Sequence, residues 1–442
     1  MKKEDGNKHH IISRHHRHKK ITLKRDLGLL EATFAGVGII LGAGIYALIG
    51  QAAGIAGNAV WISFLISAVV AAFTGMSYAE LSSMFTKDSG EYLYTEKAMG
   101  RRLAFVVGLF VILEGVISAA AVALGFSGYF TALTGFAWLI PVALACIALF
   151  SFINYHGIKE SALLNLILTL LESGGLLIII LIGVKYFGRV DYMQMASGMK
   201  GVFSAAALIF FAYIGFESVI KLAEETKTPR KTIPRALVLS LVISTILYIL
   251  VAVSAVSILG WEKLGQSTAP LADVAAAAMG SKAFLILAVI ALFSTANTVL
   301  VILVVTSRML YGMACDWKSL KCLTKIDANR RTPWVAVVAT MLITMLFVLF
   351  GDIKIVAEMT NFVIFAVFIA VNIALIILRY KLPNIQRQFK VPLNIGKFPV
   401  LGLLGAGSSL FMMFYIDLPA IFMGLGMIVF GFVLYEILRK LS

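Results

Sequence analysis

Twelve apolar runs divide this chain of 442 residues, covering 29–50, 58–83, 101–128, 137–155, 160–186, 201–222, 236–259, 281–310, 333–351, 354–380, 398–415 and 418–438. Each approaches or exceeds the ~20 residues that a helix needs to cross a lipid core. Backbone N–H and C=O groups find no water there, so a crossing segment must satisfy them internally, as a helix does. Runs this long read as helices. The composition agrees: 60% of residues are hydrophobic and 14% charged, with a mean hydropathy of +0.94, where a soluble domain carries about a quarter charged residues. The expected fold class is an all-α membrane protein with twelve transmembrane helices.

The formal net charge of +15 would suggest nucleic acid in a soluble protein. Here the cations sit between the apolar runs and read as topology signals. With the N-terminus placed inside, 32 of the 38 Lys and Arg residues fall in inner segments and six in outer ones. Such a bias places both termini in the cytoplasm of a multi-pass protein of the cell membrane, without a nucleic-acid partner. Cys146 lies in an apolar run, and Cys315 and Cys322 in a basic inner loop, so no disulfide is expected. The tail "KHHIISRHHRHKK" holds five of the six histidines. It is read as a basic anchor near anionic lipid, with metal binding as the lesser reading.

The first run contains "GVGIILGAGIYALIG", with glycines at Gly36, Gly38, Gly42, Gly44 and Gly50. Glycine is a poor helix former. Three readings compete: a small-residue packing face, a kink, or a break. A break frees backbone groups at mid-membrane, which is tolerated only where they line a cavity or meet a ligand. The sixth run contains "FFAYIGFE", Phe210 to Glu217, with Gly215 at mid-run. Interrupted helices in corresponding positions of two halves point to a transporter site.

Further stretches share one order along the chain: "AAGIAGNAV", "YAELSSMF" with "SGEYLY", "ILEGVISAAAVA", "GIKESALLN", "EETKTPRKTIPRA", "SRMLYGMACD", "RTPWVAV" and "LRYKLPNIQRQFKVPL". With the two glycine-bearing runs, they resemble the amino acid–polyamine–organocation transporter family, and most of all its cationic amino acid transporter branch. The resemblance covers roughly Gly36 to Leu403. It implies a five-plus-five inverted-repeat core with two added C-terminal helices. On that plan 1–26 is a cytoplasmic tail, 27–186 the first repeat, 187–380 the second, and 381–442 holds helices eleven and twelve.

The resemblance also assigns a site. After a break at Gly42, the N–H groups of Ala43 and Gly44 would hold a substrate carboxylate. The carbonyls of Ile40, Phe211, Ala212 and Ile214 would accept from its ammonium. Phe216, Ile302 and Glu114 would line the side-chain pocket. Glu114 is an intramembrane acid, functional by default, though a structural acid bonded to hydroxyls such as Ser118 is an equal reading.

In the fifth run, Glu172 is the only charge of the stretch "LLNLILTLLESGGLLIIILIG". Many cationic-branch relatives carry a lysine there, so the reversed sign bars copying their mechanism. A carboxyl out of water favours its neutral form, and Glu172 can then load and release a proton as access alternates. It can instead pair with sodium or another cation, or only bond backbone. Ser294, Thr295 and Asn297 in the eighth run are candidate partners. No cofactor is expected, only a proton or sodium as coupling ion.

"EETKTPRKTIPRA" is expected to end the sixth helix at Pro229 and Pro234 and, by resemblance, to help close an inner gate. Arg308 and Asp316 are candidate partners of Glu224 or Glu225. "WKSLKCL" departs from the family turn. No HExxH, GxSxG or GxxxxGK pattern supports an enzyme. A channel would need a ring of matching residues, and a receptor is favoured by large soluble extensions that this sequence lacks. The reading is a secondary active amino acid permease, a monomer or weak homo-oligomer, with exchange or polyamine transport as the alternative.

Overall fold

The computed structural model describes residues 27–85, 90–156 and 162–441. The histidine-rich tail and the "GIKES" stretch lie outside the described residues, as does the side chain of Glu224. Sixteen helices follow in order: α1 Leu29–Ile40, α2 Ala43–Ala56, α3 Val60–Met84, α4 Glu91–Met99, α5 Arg101–Thr134, α6 Leu139–His156, α7 Ala162–Gly183 and α8 Gly198–Ile209. Then come α9 Pro229–Leu259, α10 Trp261–Gln266, α11 Pro270–Met279, α12 Ser281–Cys315, α13 Trp334–Val348, α14 Ile353–Lys381, α15 Val400–Met413 and α16 Leu418–Leu441. Among the described residues, the sheet content is one antiparallel pair of two-residue strands, β1 Asn394–Ile395 and β2 Phe398–Pro399.

The protein is an all-α membrane protein. Nine helical stretches among the described residues are long and apolar enough to cross a bilayer. Shorter apolar helices, α1, α11, α13 and α15, accompany them. Every expected run carries helix, and two runs, the first and the sixth, are interrupted. Outside the runs lie α4, α10 and α11, each too short to register on a search for spans of ~20 residues. The long helices α5, α9 and α12 have 34, 31 and 35 residues. At 1.5 Å per residue they are about 46–53 Å long, so they project beyond a hydrocarbon core of about 30 Å or cross it tilted.

One expectation is corrected. Pro229 and Pro234 do not terminate a helix; Pro229 opens α9 and Pro234 lies inside its first turns. Proline suits the first helical position because its missing N–H has no partner there anyway. The preceding 3-10 segment, Phe216–Glu224, has already ended. The segment between them meets the start of the chain's described part: Leu27 N–H donates to the Glu225 carbonyl at 3.0 Å, and Lys227 N–H to the Leu27 carbonyl at 3.0 Å. The departing "WKSLKCL" stretch forms a short 3-10 segment, Lys318–Thr324.

Two motifs far apart in sequence meet at the ends of α3 and α14. Glu80 of "YAELSS" is fully buried and faces Arg379 of "LRYK". Arg379 donates from Nε to Glu80 Oε1 at 2.8 Å and from Nη2 to Oε2 at 2.5 Å. Arg387 adds its Nε at 3.2 Å from Oε1, and the Val391 N–H donates to Oε2 at 2.7 Å. Arg387 Nη2 also donates to the Leu378 and Leu382 carbonyls at 3.1 and 2.9 Å, capping the C-terminus of α14, where helix carbonyls lack partners. One carboxylate thus fastens the 382–399 connection to both helices. Removing one partner of a buried ion pair strands the other charge and costs about 3–5 kcal/mol. Glu80→Ala is therefore expected to lower the thermal unfolding midpoint in detergent well below that of the parent protein. An unchanged midpoint would show that the network carries no stability.

Candidate functional site: two facing helix breaks

The first run breaks where the sequence suggested. α1 stops at Ile40; Leu41 is extended, with φ −68° and ψ 106°, and so is Gly42, with φ −140° and ψ −173°. α2 resumes at Ala43. The packing reading also holds for part of the run. A methyl on Gly36 would lie 2.3 Å from Ser240 Oγ of α9, and one on Gly38 2.9 Å from Thr169 Cγ2 of α7. So Gly36 and Gly38 allow close helix contact, while Leu41 and Gly42 form the break.

The sixth run breaks in the same way. α8 passes into a 3-10 turn, Phe210–Tyr213; Ile214 is extended, and Gly215 takes φ +111°. That left-handed value favours glycine. A side chain there would also sit 3.0 Å from the Ile39 carbonyl oxygen. Reciprocally, a methyl on Gly44 would sit 2.8 Å from Ala212 Cα. Each break therefore places a glycine against the backbone of the other. Two interrupted main chains approach within van der Waals contact.

The freed backbone groups can be followed one by one. The hydroxyl of Tyr248, on α9, lies 2.8 Å from the Ile40 carbonyl and 3.0 Å from that of Ala212. Its single proton is shared between the ends of both breaks. Asn361, buried on α14, donates from Nδ2 to the Ala207 and Leu208 carbonyls at 2.7 and 2.8 Å, covering the last turn of α8. The Phe211 carbonyl accepts the Ile214 N–H at 3.3 Å. The Gly215 N–H donates to both carboxylate oxygens of Glu217, at 3.1 and 3.0 Å.

At the N-terminus of α2 the pattern differs. Gly42 is its N-cap and supplies no side chain. Ala43 and Gly44 are buried, so the first N–H groups of a 14-residue helix face the interior without a side-chain cap. N–H groups at a helix start without a side-chain cap are left for water or a ligand, and their partial positive charge favours an anion. A methyl built on Gly42 meets only the Ile40 carbonyl oxygen, at 4.0 Å; the break opens onto free space.

The remaining candidates distribute as follows. Ile40, Phe211 and Ala212 are buried, and Ile214 is half-buried beside them. Glu114, on α5, and Ile302, on α12, are half-buried. Their helices pack closely at Gly115, where a methyl would lie 2.1 Å from Thr306 Oγ1, one turn beyond Ile302. Phe216 is fully buried, edge-on to Tyr78 at 6.2 Å and tilted to Phe368 at 5.4 Å. It packs with α3 and α14.

Glu172 on α7 is 5% exposed. Its Oε1 accepts from Ser294 Oγ of α12 at 2.6 Å, while its own main-chain carbonyl accepts the Tyr46 hydroxyl at 2.6 Å. Tyr46 stands one turn into α2, so Glu172 is one turn from the uncapped helix start. The Tyr46 carbonyl in turn accepts from Tyr129 at 2.9 Å. Of the expected hydroxyl partners Ser294 engages the carboxylate; Thr295 bonds the Ala291 carbonyl instead, at 2.7 Å. Tyr248, Asn361 and Tyr46 escaped the sequence reading. Their only signal is a polar group inside an apolar run.

Residues 27–435 match the Amino acid permease family. The branched-chain amino acid permease BcaP of Bacillus subtilis is 32% identical over 87% of this chain and 87% of its own length. The methylthioribose transporter of the same organism is 31% identical over 91% of this chain and 90% of its own. Cationic amino acid transporter 1 of Arabidopsis thaliana is 29% identical over 81% of this chain and 63% of its own. The chain belongs to the amino acid permease family and is a multi-pass membrane transporter, not an enzyme.

Removal of the shared hydroxyl tests the bridge between the breaks. Tyr248→Phe keeps the ring and leaves two buried carbonyls without that donor, at a cost of about 1–3 kcal/mol. A lower unfolding midpoint is expected. A midpoint equal to the parent's would remove Tyr248 from the bridge.

Proposed function

We propose that this permease moves an α-amino acid across the cell membrane by alternating access, gripping the head group with bare main chain. The observation that carries the reading is the pair of facing breaks, with an uncapped buried helix start opening onto free space beside Gly42. The carboxylate is taken by the N–H groups of Ala43 and Gly44. The ammonium competes with the Tyr248 hydroxyl for the Ile40 and Ala212 carbonyls, each of which keeps a second lone pair. Phe211 and Ile214 contribute backbone nearby, Ile302 and Glu114 face the substrate side chain, and Phe216 supports the sixth-run break from behind.

The reading takes 27–186 and 187–380 as inverted halves, the chain as crossing twelve times, and both termini as cytoplasmic. It takes the working unit as a monomer or weak homo-oligomer. The backbone pairing of Leu27 with Glu225 and Lys227 then closes the inner side. Uptake is coupled to a proton carried by Glu172; sodium at the same carboxylate is the competing scheme. The position of Glu172, one turn from the α2 start through Tyr46, supports a link between its load and the geometry of the break.

The half-buried Glu114 favours one second reading, a cationic substrate such as a polyamine. Uptake into proteoliposomes separates the two, using radiolabelled neutral and cationic amino acids, methylthioribose and polyamines, with and without an imposed proton gradient. Uptake of an amino acid that its carboxyl-blocked ester fails to compete for is the expected result. Transport of polyamines alone would overturn the head-group scheme. Glu172→Gln is expected to abolish the pH dependence of net uptake while counterflow exchange persists. Unchanged pH dependence would exclude Glu172 from coupling.

A further inference from the structure

Away from the breaks, a groove of about 610 Å³ opens between the start of α1, the start of α9 and the 382–399 connection. Its polar lining is cationic and neutral: Lys231 and Arg235, one turn apart on α9, and Gln388. Among its eight lining residues none is acidic. The rest of the lining is apolar, with Leu29, Leu239 and Phe389 on three sides. Both cations are exposed.

The groove has a fixed wall. Phe389 is held by its carbonyl, which accepts from Ser83 Oγ at 3.3 Å, and its neighbour Arg387 belongs to the Glu80 network. It also continues into an apolar seam. Leu30 and Phe34, four residues apart on α1, are 70% and 69% exposed, and Leu239, Val242 and Ile246 repeat along one face of α9 at 41–53% exposure. The two helices are joined between these stripes by Ser240 Oγ, which donates to the Thr33 carbonyl at 2.9 Å. A molecule anionic at one end and with long apolar chains at the other complements both the cations and the seam.

We propose that this groove seats one anionic phospholipid, its phosphate on Lys231 and Arg235 and its acyl chains along the α1–α9 seam. A soluble phosphate would meet the same two cations but leave the apolar wall and seam bare. A basic pocket at the cytoplasmic end of packed helices is a recognised headgroup seat. The leaflet, the inner one, follows from the proposed orientation; the binding itself does not depend on transport.

The test uses the full-length protein in nanodiscs of phosphatidylcholine, titrated with phosphatidylglycerol and read by native mass spectrometry. One saturable phosphatidylglycerol adduct is expected. Each cation near a membrane surface contributes about 1 kcal/mol, so apparent affinity should fall about fivefold in Lys231→Gln or Arg235→Gln and about 25-fold in the double variant. Lys318→Gln/Lys321→Gln, a cationic pair outside the groove, should keep the parent affinity. Three outcomes overturn the proposal: equal affinity in the double variant, equal retention of phosphatidylcholine, or displacement of the adduct by millimolar inorganic phosphate.

Discussion

A peptide group inside a bilayer has nowhere to turn but to the protein, and every feature of this fold follows from that scarcity. Unbroken helices meet it by construction. The two interrupted runs do not, and the structure surrounds them with dedicated partners. Tyr248 serves the ends of both, Asn361 covers the end of α8, and the Glu217 carboxylate takes the Gly215 N–H. Of the two breaks, the start of α2 is the end that has no side-chain cap, and it is there that the proposed carboxylate would be received. The glycines complete the arrangement by letting two backbones touch where side chains would hold them apart.

How much of this can be read from the sequence depends on whether the signal is local. The break at Leu41 and Gly42, and its counterpart at Gly215, lie in short stretches whose glycines stand out against an apolar background. Glu172 is visible for the same reason, as a lone charge. Tyr248 is invisible, because the carbonyl it serves at Ile40 is 208 positions away and a tyrosine in an apolar run has many uses. Asn361 is hidden likewise, 154 positions from Ala207. The misread prolines show the limit of a punctuation rule. Pro229 marks a boundary correctly, but the residue alone does not say whether a helix stops before it or starts with it.

The molecule divides its ionic groups between fastening and exposure. Glu80 and Arg379, both buried, and the half-buried Arg387 form an ionic cluster that ties α3, α14 and the 382–399 connection into one piece. That cluster sits far along the chain from the breaks, yet through Phe389 and Ser83 it also sets one wall of the groove beside α1. Lys231 and Arg235 stand on the other side with their charges facing outward. The first half-helix thus begins beside a rigid frame and a patch of free positive charge.

The Tyr248 hydroxyl has one proton to give and two oxygens waiting for it. If the short half-helix before Gly42 swings away, the proton passes wholly to Ala212 and the hydroxyl still makes one bond. The departing Ile40 oxygen is the sole creditor left unserved, and it is then free to meet water entering by the same door. A latch that changes hands in this way resists motion very little. Such a joint suits the alternating access proposed above.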